Sequence, residues 1–412
     1  MSASAETNTE VGDTLLVGRQ AIFDRNMDVF AYELLYRDHK AAMSATVLDG
    51  DVCSSRTLVN ALVEIGLDRL AGENRVFINF TEIFFTDMAP VPFDKERVVM
   101  EILEDIPVTD ELVAGVKKLS EQGYSLALDD FQFESKWRPI LPYMDFIKLE
   151  VNADTLPLVQ AKIPALKNLK AKLLAEKVED LMQFHQLHAL GFDLFQGYFF
   201  SKPKVIEQKK LQNNHVVMLQ LLSRLNDPAV DVDDLHELIS QDSALSFKTL
   251  RFINSAGIGL TRKVESIRDA VVLIGINRIK SWASLMVMAN MGEAPRELMN
   301  LGLLRANLCE RMVRAEGKGS PEIAYTVGLL STMDAMLSMP LDDVLGQLPL
   351  SDEVKTAIIQ REGEYGETLA SAQAIEENQW DKAKTRLSVD ELYEIYLESS
   401  ESAFRSMADL ED

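Results

Sequence analysis

Short apolar runs alternate with helix-periodic segments throughout the first half of the chain, and this alternation restricts the possible folds. Continuously apolar runs are typical of parallel strands that are buried on both faces. About eight such units within ~200 residues predict a (β/α) barrel, which fits this length better than an open sheet. The predicted strands are residues 14–23, 29–37, 75–80, 97–103, 124–131, 145–151, 170–178 and 192–200.

The strand pattern ends near residue 205, and the rest of the chain has helical periodicity. Segments such as 264–291 and 295–317 carry apolar residues at the spacing of an amphipathic helix. The fold class is therefore α/β followed by all-α, and a chain of 412 residues is long enough for two domains. We expect a disordered N-terminal tail (1–13), a barrel domain (14–205), a helical domain (206–400) and an acidic C-terminal tail (401–412).

The charge of the chain excludes some classes of partner. Acidic residues outnumber basic ones by 65 to 42, and a net charge of −23 disfavours duplex nucleic acid and anionic membranes. No apolar run approaches the ~20 residues of a membrane-spanning helix, and the polar N-terminus does not look like a signal peptide. The chain has only two cysteines. We expect a cytoplasmic protein, and a small anionic ligand stays possible where a bound metal reverses the local field.

Nearly every predicted strand ends with a charged or amide side chain. In a (β/α) barrel these ends open on the one face where catalytic groups lie. Any single residue of this kind could simply be a solvated strand end, but the pattern recurs in seven strands, so we favour a shared site. The residues are Glu33, Arg37, Asn79, Glu101, Asp129, Asp130, Lys148, Glu150, Glu176, Glu179 and Gln196.

So many carboxylates in one barrel mouth point to metal-dependent chemistry. They would repel one another unless cations lay between them, and oxygen ligands suit Mg²⁺ or Mn²⁺. The adjacent Asp129 and Asp130 are placed to bridge two ions, which is the arrangement that catalyses in-line phosphoryl displacement. Lys148 could orient the attacking water, and Arg37 could hold a phosphate. These residues predict a metal-dependent phosphodiester hydrolase.

The order of the motifs carries a family resemblance over residues 14–205. The segments YELLYR, FINF, EILE, ALDDF, FIKLE, AEKVE and FQGYFFSKP resemble those of the EAL domain, the cyclic di-GMP phosphodiesterase family. This resemblance implies a modified, TIM-like (β/α)8 barrel in which one strand runs antiparallel to the others. It also implies metal-dependent hydrolysis of cyclic di-GMP to pGpG.

The resemblance also assigns roles to individual residues of this chain. The metal ligands would be Glu33, Asn79, Glu101 and Asp129, with Asp130 serving a second ion. The catalytic groups acting on the water would be Lys148, Glu176 and Asp130. The dinucleotide would be bound by Arg37, Gln196 and Glu179, and Glu104 would anchor the loop after Asp130.

This sequence departs from the family pattern at three places. Leu34 replaces the usual alanine, on the strand face opposite Glu33, and Glu150 replaces an aspartate. Gln132, Phe133 and Glu134 replace a Gly-Thr-Gly loop that couples metal binding to dimerisation in the family. Because glycine gives access to positive φ, we expect the loop to lose that conformation. Catalysis and a homodimer therefore stay open, and the alternatives are a cyclic di-GMP receptor or an interaction scaffold.

The helical half resembles an HDOD domain, a relative of the HD-type metal phosphohydrolases. The resemblance rests on residues 242–256, 264–282 and 328–330. Ser331 and Thr332 stand where an HD enzyme has His-Asp, and all five histidines lie before residue 237, so the later helices lack the ligands of a histidine-rich metal site. This half is expected to be a signalling domain that contacts an unidentified signalling protein.

Overall fold

The structure, a computed structural model, describes most of both halves of the chain. The described ranges are 15–38, 62–63, 65–86, 94–197, 213–225, 229–241, 266–289 and 295–408 (without 338, 347 and 349), with isolated positions between 227 and 264. The predicted N-terminal tail and the junction between the two halves lie outside these ranges.

Eight strands form a closed barrel in which each strand pairs with its sequence neighbours and β1 closes onto β8. β1 is antiparallel to both β2 and β8, and the other neighbours pair in parallel. The predicted barrel and its single antiparallel strand are confirmed. The strands are β1 Leu15–Phe23, β2 Val29–Asp38, β3 Arg75–Phe80, β4 Val98–Ile102, β5 Ser125–Leu128, β6 Phe146–Glu150, β7 Lys172–Glu176 and β8 Leu194–Gln196.

An apolar layer closes the interior of the barrel. Each strand contributes one buried side chain to it, and the eight form a cluster of their own. Because side chains alternate between the two faces of a strand, the residue two positions further along also points inward. The apolar layer is therefore a solid floor beneath the barrel mouth. Its members are Ile22, Ala31, Phe77, Val99, Ala127, Phe146, Leu174 and Leu194.

Helices cover the outside of the barrel, and α3 shows how closely they pack. Thr109 caps its first turn by accepting a hydrogen bond from the Leu112 N–H at 3.1 Å. Gly115 faces the Phe85 carbonyl, which a Cβ at this position would approach to 1.6 Å, so only glycine fits there. The described helices of this half are α1 Leu67–Ala71, α2 Glu82–Thr86, α3 Asp110–Glu121, α4 Leu156–Leu166 and α5 Leu181–Leu190.

The described residues beyond Gly197 contain helices and no strand, which confirms the all-α second half. Ser266 and Ser320 cap two of these helices through their hydroxyl oxygens. None of the described helices has an apolar stretch long enough to cross a membrane. They are α6 Asn213–Leu225, α7 Val232–Ser240, α8 Ile267–Ile274, α9 Ile276–Ala289, α10 Arg296–Glu316, α11 Pro321–Leu330, α12 Met333–Leu337, α13 Leu341–Leu345, α14 Asp352–Gln360, α15 Gly363–Glu376 and α16 Val389–Ala408.

The last helix extends into the segment that the sequence predicted to be a tail. Residues 401–408 belong to α16, so the boundary at residue 400 is wrong for this stretch. The physical reason is tertiary: α16 packs along α1, Ala403 is fully buried, and the Phe404 ring lies against Gly72. Two hydrogen bonds join α16 to β1, one from the Val17 N–H to the Tyr393 hydroxyl at 3.2 Å and one from Arg19 to Ser400.

The barrel and the helical half share one apolar core. Buried residues of the strands and buried residues of α10, α15 and α16 belong to the same cluster. Tyr32 in β2 donates a hydrogen bond to Glu297 in α10 at 2.7 Å, and Asn378 donates to the Leu35 carbonyl at 3.4 Å. We therefore expect the two halves to unfold as one cooperative unit.

Replacing Tyr393 with alanine tests this shared core. The variant loses a buried ring and leaves the Val17 N–H without its partner, so we expect a loss of about 3–5 kcal/mol in the free energy of unfolding. Denaturant titrations followed by near-UV and far-UV circular dichroism should both shift to lower midpoints. The exposed neighbour Glu394→Ala is the control and should change stability by no more than about 1 kcal/mol. Two separate transitions, of which only one shifts, would contradict the expectation.

Candidate active site

A polar layer lies directly above the apolar layer in the barrel mouth. Each member is two positions from an apolar-layer residue, following it on seven strands and preceding it on the reversed β1. The register places Gln20 opposite Glu33 and Asn79 opposite Glu101, so adjacent strands present their polar groups at one height. The polar layer consists of Gln20, Glu33, Asn79, Glu101, Asp129, Lys148, Glu176 and Gln196.

Lys148 lies at the centre of the polar layer and is fully buried. Its ammonium nitrogen makes four ion pairs within 2.9–3.2 Å. The partners are Glu101 Oε1 and Asp129 Oδ1 at 2.9 Å, Glu176 Oε1 at 3.1 Å and Glu33 Oε1 at 3.2 Å. The structure thus brings the predicted lysine together with four of the predicted carboxylates, although their sequence positions span more than half of the barrel domain.

One ammonium faces four carboxylates, and the titration of the cluster reflects this imbalance. Burial raises the pKa of Glu101 well above its usual value, and the neighbouring Glu33 adds to the increase. Burial also raises the pKa of Glu176 to about 7. Burial acts to lower the pKa of Lys148, but the carboxylates around it outweigh that effect and raise it well above the usual range. The site is therefore short of positive charge.

Gln196 holds Glu33 in place by a direct hydrogen bond, and Gln20 in turn holds Gln196. Gln196 Nε2 donates to Glu33 Oε2 at 2.6 Å and to Gln20 Oε1 at 3.0 Å. Gln196, expected to bind the dinucleotide, is 2% exposed and contacts a carboxylate here. Gln20 was missed from the sequence because β1 runs antiparallel and so presents its inward polar residue before its apolar one. The available signal was a polar residue within the apolar run 14–23.

The donor chemistry of the polar layer suits a hard divalent cation. Asn79 Oδ1 and Glu101 Oε2 are buried without a hydrogen-bond partner, and the two residues are paired between β3 and β4. Oxygen ligands of this kind are those that Mg²⁺ and Mn²⁺ prefer. Among the described residues no three acidic, histidine or cysteine side chains already surround a common metal position.

Three further predicted residues lie outside the polar layer. Asp130 is half-buried, donates its N–H to Asp129 Oδ1 at 3.1 Å, and has a pKa raised by burial and by Asp129. Glu179 is exposed, and its N–H donates to Gln183 Oε1 at 2.8 Å. Arg37 lies in β2 opposite Leu16, but its side chain is outside the described part of the structure.

The loop after Asp130 keeps left-handed backbone without glycine. Asp130 has φ +43° and Phe133 has φ +60°, so the expectation that this sequence loses positive φ is wrong. Such a conformation costs a non-glycine residue about 1–2 kcal/mol, and here the Phe133 ring packs on Phe131 at 5.1 Å. Glu104, which is expected to anchor the loop, is exposed, and its main-chain carbonyl accepts a hydrogen bond from Lys136 at 3.3 Å.

The fold and the site together define a class: a modified (β/α)8 barrel with an acidic, lysine-centred mouth, joined to a helical domain. The sequence matches the EAL domain over residues 85–203 and the HDOD domain over residues 211–343. The protein YuxH of Bacillus subtilis (strain 168) is 34% identical over 399 residues, covering 94% of this chain and 97% of that protein. This chain belongs to the family of proteins that combine an EAL domain with an HDOD domain.

A second relative has a functional name. The cyclic di-GMP phosphodiesterase CdgJ of Vibrio cholerae serotype O1 is 35% identical over 373 residues, covering 89% of this chain and 86% of that protein. Among solved structures, the PaMucR phosphodiesterase in complex with c-di-GMP has a TM-score of 0.36 at 18% identity, over 46% of this chain and 91% of that chain. An EAL domain protein of Listeria monocytogenes EGD-e has a TM-score of 0.36 at 19% identity, over 48% and 94%.

Replacing Lys148 with methionine tests the charge balance of the site. The variant leaves two buried and two partly buried carboxylates without their cation, so we expect a loss of about 3–5 kcal/mol in the free energy of unfolding in metal-free buffer. Added Mn²⁺ should restore part of this loss. Thermal melting with and without Mn²⁺ measures both effects, and the exposed Lys172→Met is the matched control. An unchanged melting temperature for Lys148→Met would contradict the central role of this ion-pair cluster.

Proposed function

We propose that this protein is a metal-dependent phosphodiesterase that hydrolyses cyclic di-GMP to pGpG. The observation that carries the proposal is the polar layer, in which one buried lysine is surrounded by four carboxylates at the catalytic end of a modified barrel. Membership of the EAL–HDOD family and the similarity to CdgJ over most of the chain support the same activity.

We infer that the cofactor is Mg²⁺ or Mn²⁺. Glu33, Asn79, Glu101 and Asp129 would hold one ion, and Asp130 would contribute to a second. Bound there, the ions would polarise the phosphodiester and lower the pKa of the attacking water. The unpartnered Asn79 Oδ1 and Glu101 Oε2 support this assignment, since they are buried ligand atoms that a cation would satisfy.

Other side chains of the site would orient the metal ligands, accept a proton and bind the dinucleotide. Lys148 holds the carboxylates at one height and offsets part of their charge. Glu176 can accept a proton near neutral pH at Oε2, the oxygen that is not paired with Lys148, because burial raises its pKa to about 7, which suits a general base. Gln196 and Gln20 orient Glu33. We also propose that Arg37, Gln196 and Glu179 bind the dinucleotide.

A second candidate function is a cyclic di-GMP receptor with weak or absent turnover. The altered loop favours it, since Phe133 takes a left-handed conformation where the family has a glycine-containing loop. In either case the HDOD domain would contact a signalling protein, and a homodimer is one possible assembly. We place the protein in the cytoplasm, in keeping with the free, buried Cys309.

A turnover assay separates these functions. Purified protein is incubated with cyclic di-GMP and Mn²⁺, and pGpG is followed by chromatography. Glu33→Ala and Lys148→Ala should each lower the rate by more than about 100-fold, and the exposed Lys170→Ala should leave it unchanged. Chelation by EDTA should stop turnover. Tight binding without product would instead identify a receptor, and the absence of binding would leave an interaction scaffold.

Replacing Gln20 with leucine tests the residue contributed by the antiparallel strand. The variant removes the Oε1 acceptor of the Gln196 amide and so loosens the support of Glu33. Loss of such a supporting hydrogen bond typically lowers metal affinity or activity about 10–100-fold. The Mn²⁺ dependence of the rate should therefore move to higher concentration. Gln122→Leu, at the exposed end of α3, is the control. An unaltered Mn²⁺ dependence would show that Gln20 does not support the site.

A further inference from the structure

A cavity of about 230 Å³ lies between the β1–β2 hairpin and the helical half. It belongs to neither domain alone, because its walls come from the barrel on one side and from α10, α12, α15 and α16 with their connecting loops on the other. Its lining is rich in charged groups of both signs. The residues that matter for its chemistry are Gln20 and Gly197 of the barrel, and Arg305, Asp334, Arg361 and Glu376 of the helical half.

One charged pair in this cavity is structural. Arg305 is buried, and it donates to Glu376 through Nε at 2.9 Å and through Nη2 at 2.8 Å. Its Nη1 donates to the Ser331 hydroxyl at 2.9 Å. Each nitrogen of this guanidinium has a protein acceptor, so Arg305 and Glu376 need no ligand.

Arg361 and Asp334 face the same cavity without such partners. Arg361 donates through Nε to Gln373 at 3.0 Å, and Asp334 accepts only from main-chain N–H groups of its own turn, including Ala335 at 2.8 Å. Within the described part of the chain neither side chain makes an ion pair. Both are partly buried. Burial raises the pKa of Asp334 and lowers that of Arg361, and the attraction between the two charges acts in the opposite direction on each. Partly buried charges that make no direct ion pair cost stability, which is typical of binding sites rather than of cores.

The charge of the lining indicates what could bind. Three arginines (Arg19, Arg305 and Arg361) face four carboxylates (Glu297, Asp334, Glu376 and Glu377), so the cavity carries no excess positive charge for a polyanion. Glu377 is exposed, and the two partly buried groups that make no ion pair, Arg361 and Asp334, are of opposite sign. A matching ligand therefore has an acceptor or anionic group for the guanidinium and a donor or cationic group for the carboxylate.

We propose that this cavity is a second ligand site, which takes a small uncharged or zwitterionic molecule between Arg361 and Asp334. Free α-amino acids and guanine bases both have this chemistry, since each carries an acceptor edge and an N–H edge within a few ångströms. The barrel wall of the site is Gln20, which is hydrogen-bonded to Gln196 and through it to Glu33. If the protein is the proposed phosphodiesterase, the bound ligand would contact Gln20, which supports Glu33 in the active site.

Thermal unfolding of the full chain tests the site without any activity assay. The wild type is melted in EDTA with two sets of probes, the α-amino acids and the bases guanine, guanosine and adenine, each at millimolar concentration. We expect at least one probe to raise the melting temperature by about 2 °C or more in a saturable way. Arg361→Met and Asp334→Asn should each abolish the shift, and the exposed Arg405→Met and Asp342→Asn should retain it. The responding set distinguishes an amino acid from a base.

The same variants give a readout without a ligand. Arg361→Met and Asp334→Asn each remove a partly buried charge that makes no direct ion pair, and both variants should melt at the wild-type temperature or above. Arg305→Met leaves the Glu376 carboxylate without its ion-pair partner and should melt lower. The proposal is overturned if no probe shifts the wild type, if either cavity variant retains the shift, or if both melt as low as Arg305→Met. Because neither metal nor cyclic di-GMP is present, these results are independent of the proposed phosphodiesterase activity.

Discussion

The arrangement of the carboxylates in the barrel mouth depends on the ammonium of Lys148. A buried cation is costly to desolvate, and it is stable here because four carboxylates surround it within 3.2 Å. The same cation reduces the electrostatic repulsion among the carboxylates, because it lies between them. The lysine and the four carboxylates therefore stabilise one another. Together they connect β2, β4, β5, β6 and β7 in one site.

The apolar layer below and the helical half behind hold this site in position. Because side chains alternate along a strand, the apolar layer fixes the position of the polar groups two residues further along. A shift of one residue in the register of a strand would point its carboxylate out of the barrel mouth. Behind β2, Tyr32 faces away from Glu33 and donates to Glu297, which also accepts from Asn300 at 3.1 Å. The helical half is therefore joined to the strand that carries one proposed metal ligand.

Local pattern was sufficient for much of this architecture. The apolar runs predicted all eight strands because buried parallel strands are continuous and short, and the polar residues at their ends predicted most of the site. Gln20 was not predicted, since the reversed direction of β1 is a property of strand pairing. Phe133 was misjudged because packing on Phe131 offsets a backbone conformation that propensity disfavours. Helix α16 continues into the segment that was expected to be a tail, and Ala403 is buried there.

The sequence by itself determined the kinds of element, their order and the chemical types of the site residues, because these follow from periodicity and composition within short segments. Only the tertiary structure decided which groups meet. The ion pairs of Lys148, the support of Glu33 by two glutamines and the shared core of the two halves all join residues far apart in the chain. Their distances follow from barrel closure and helix packing, and the cavity that holds Arg361 and Asp334 exists only because two domains enclose it.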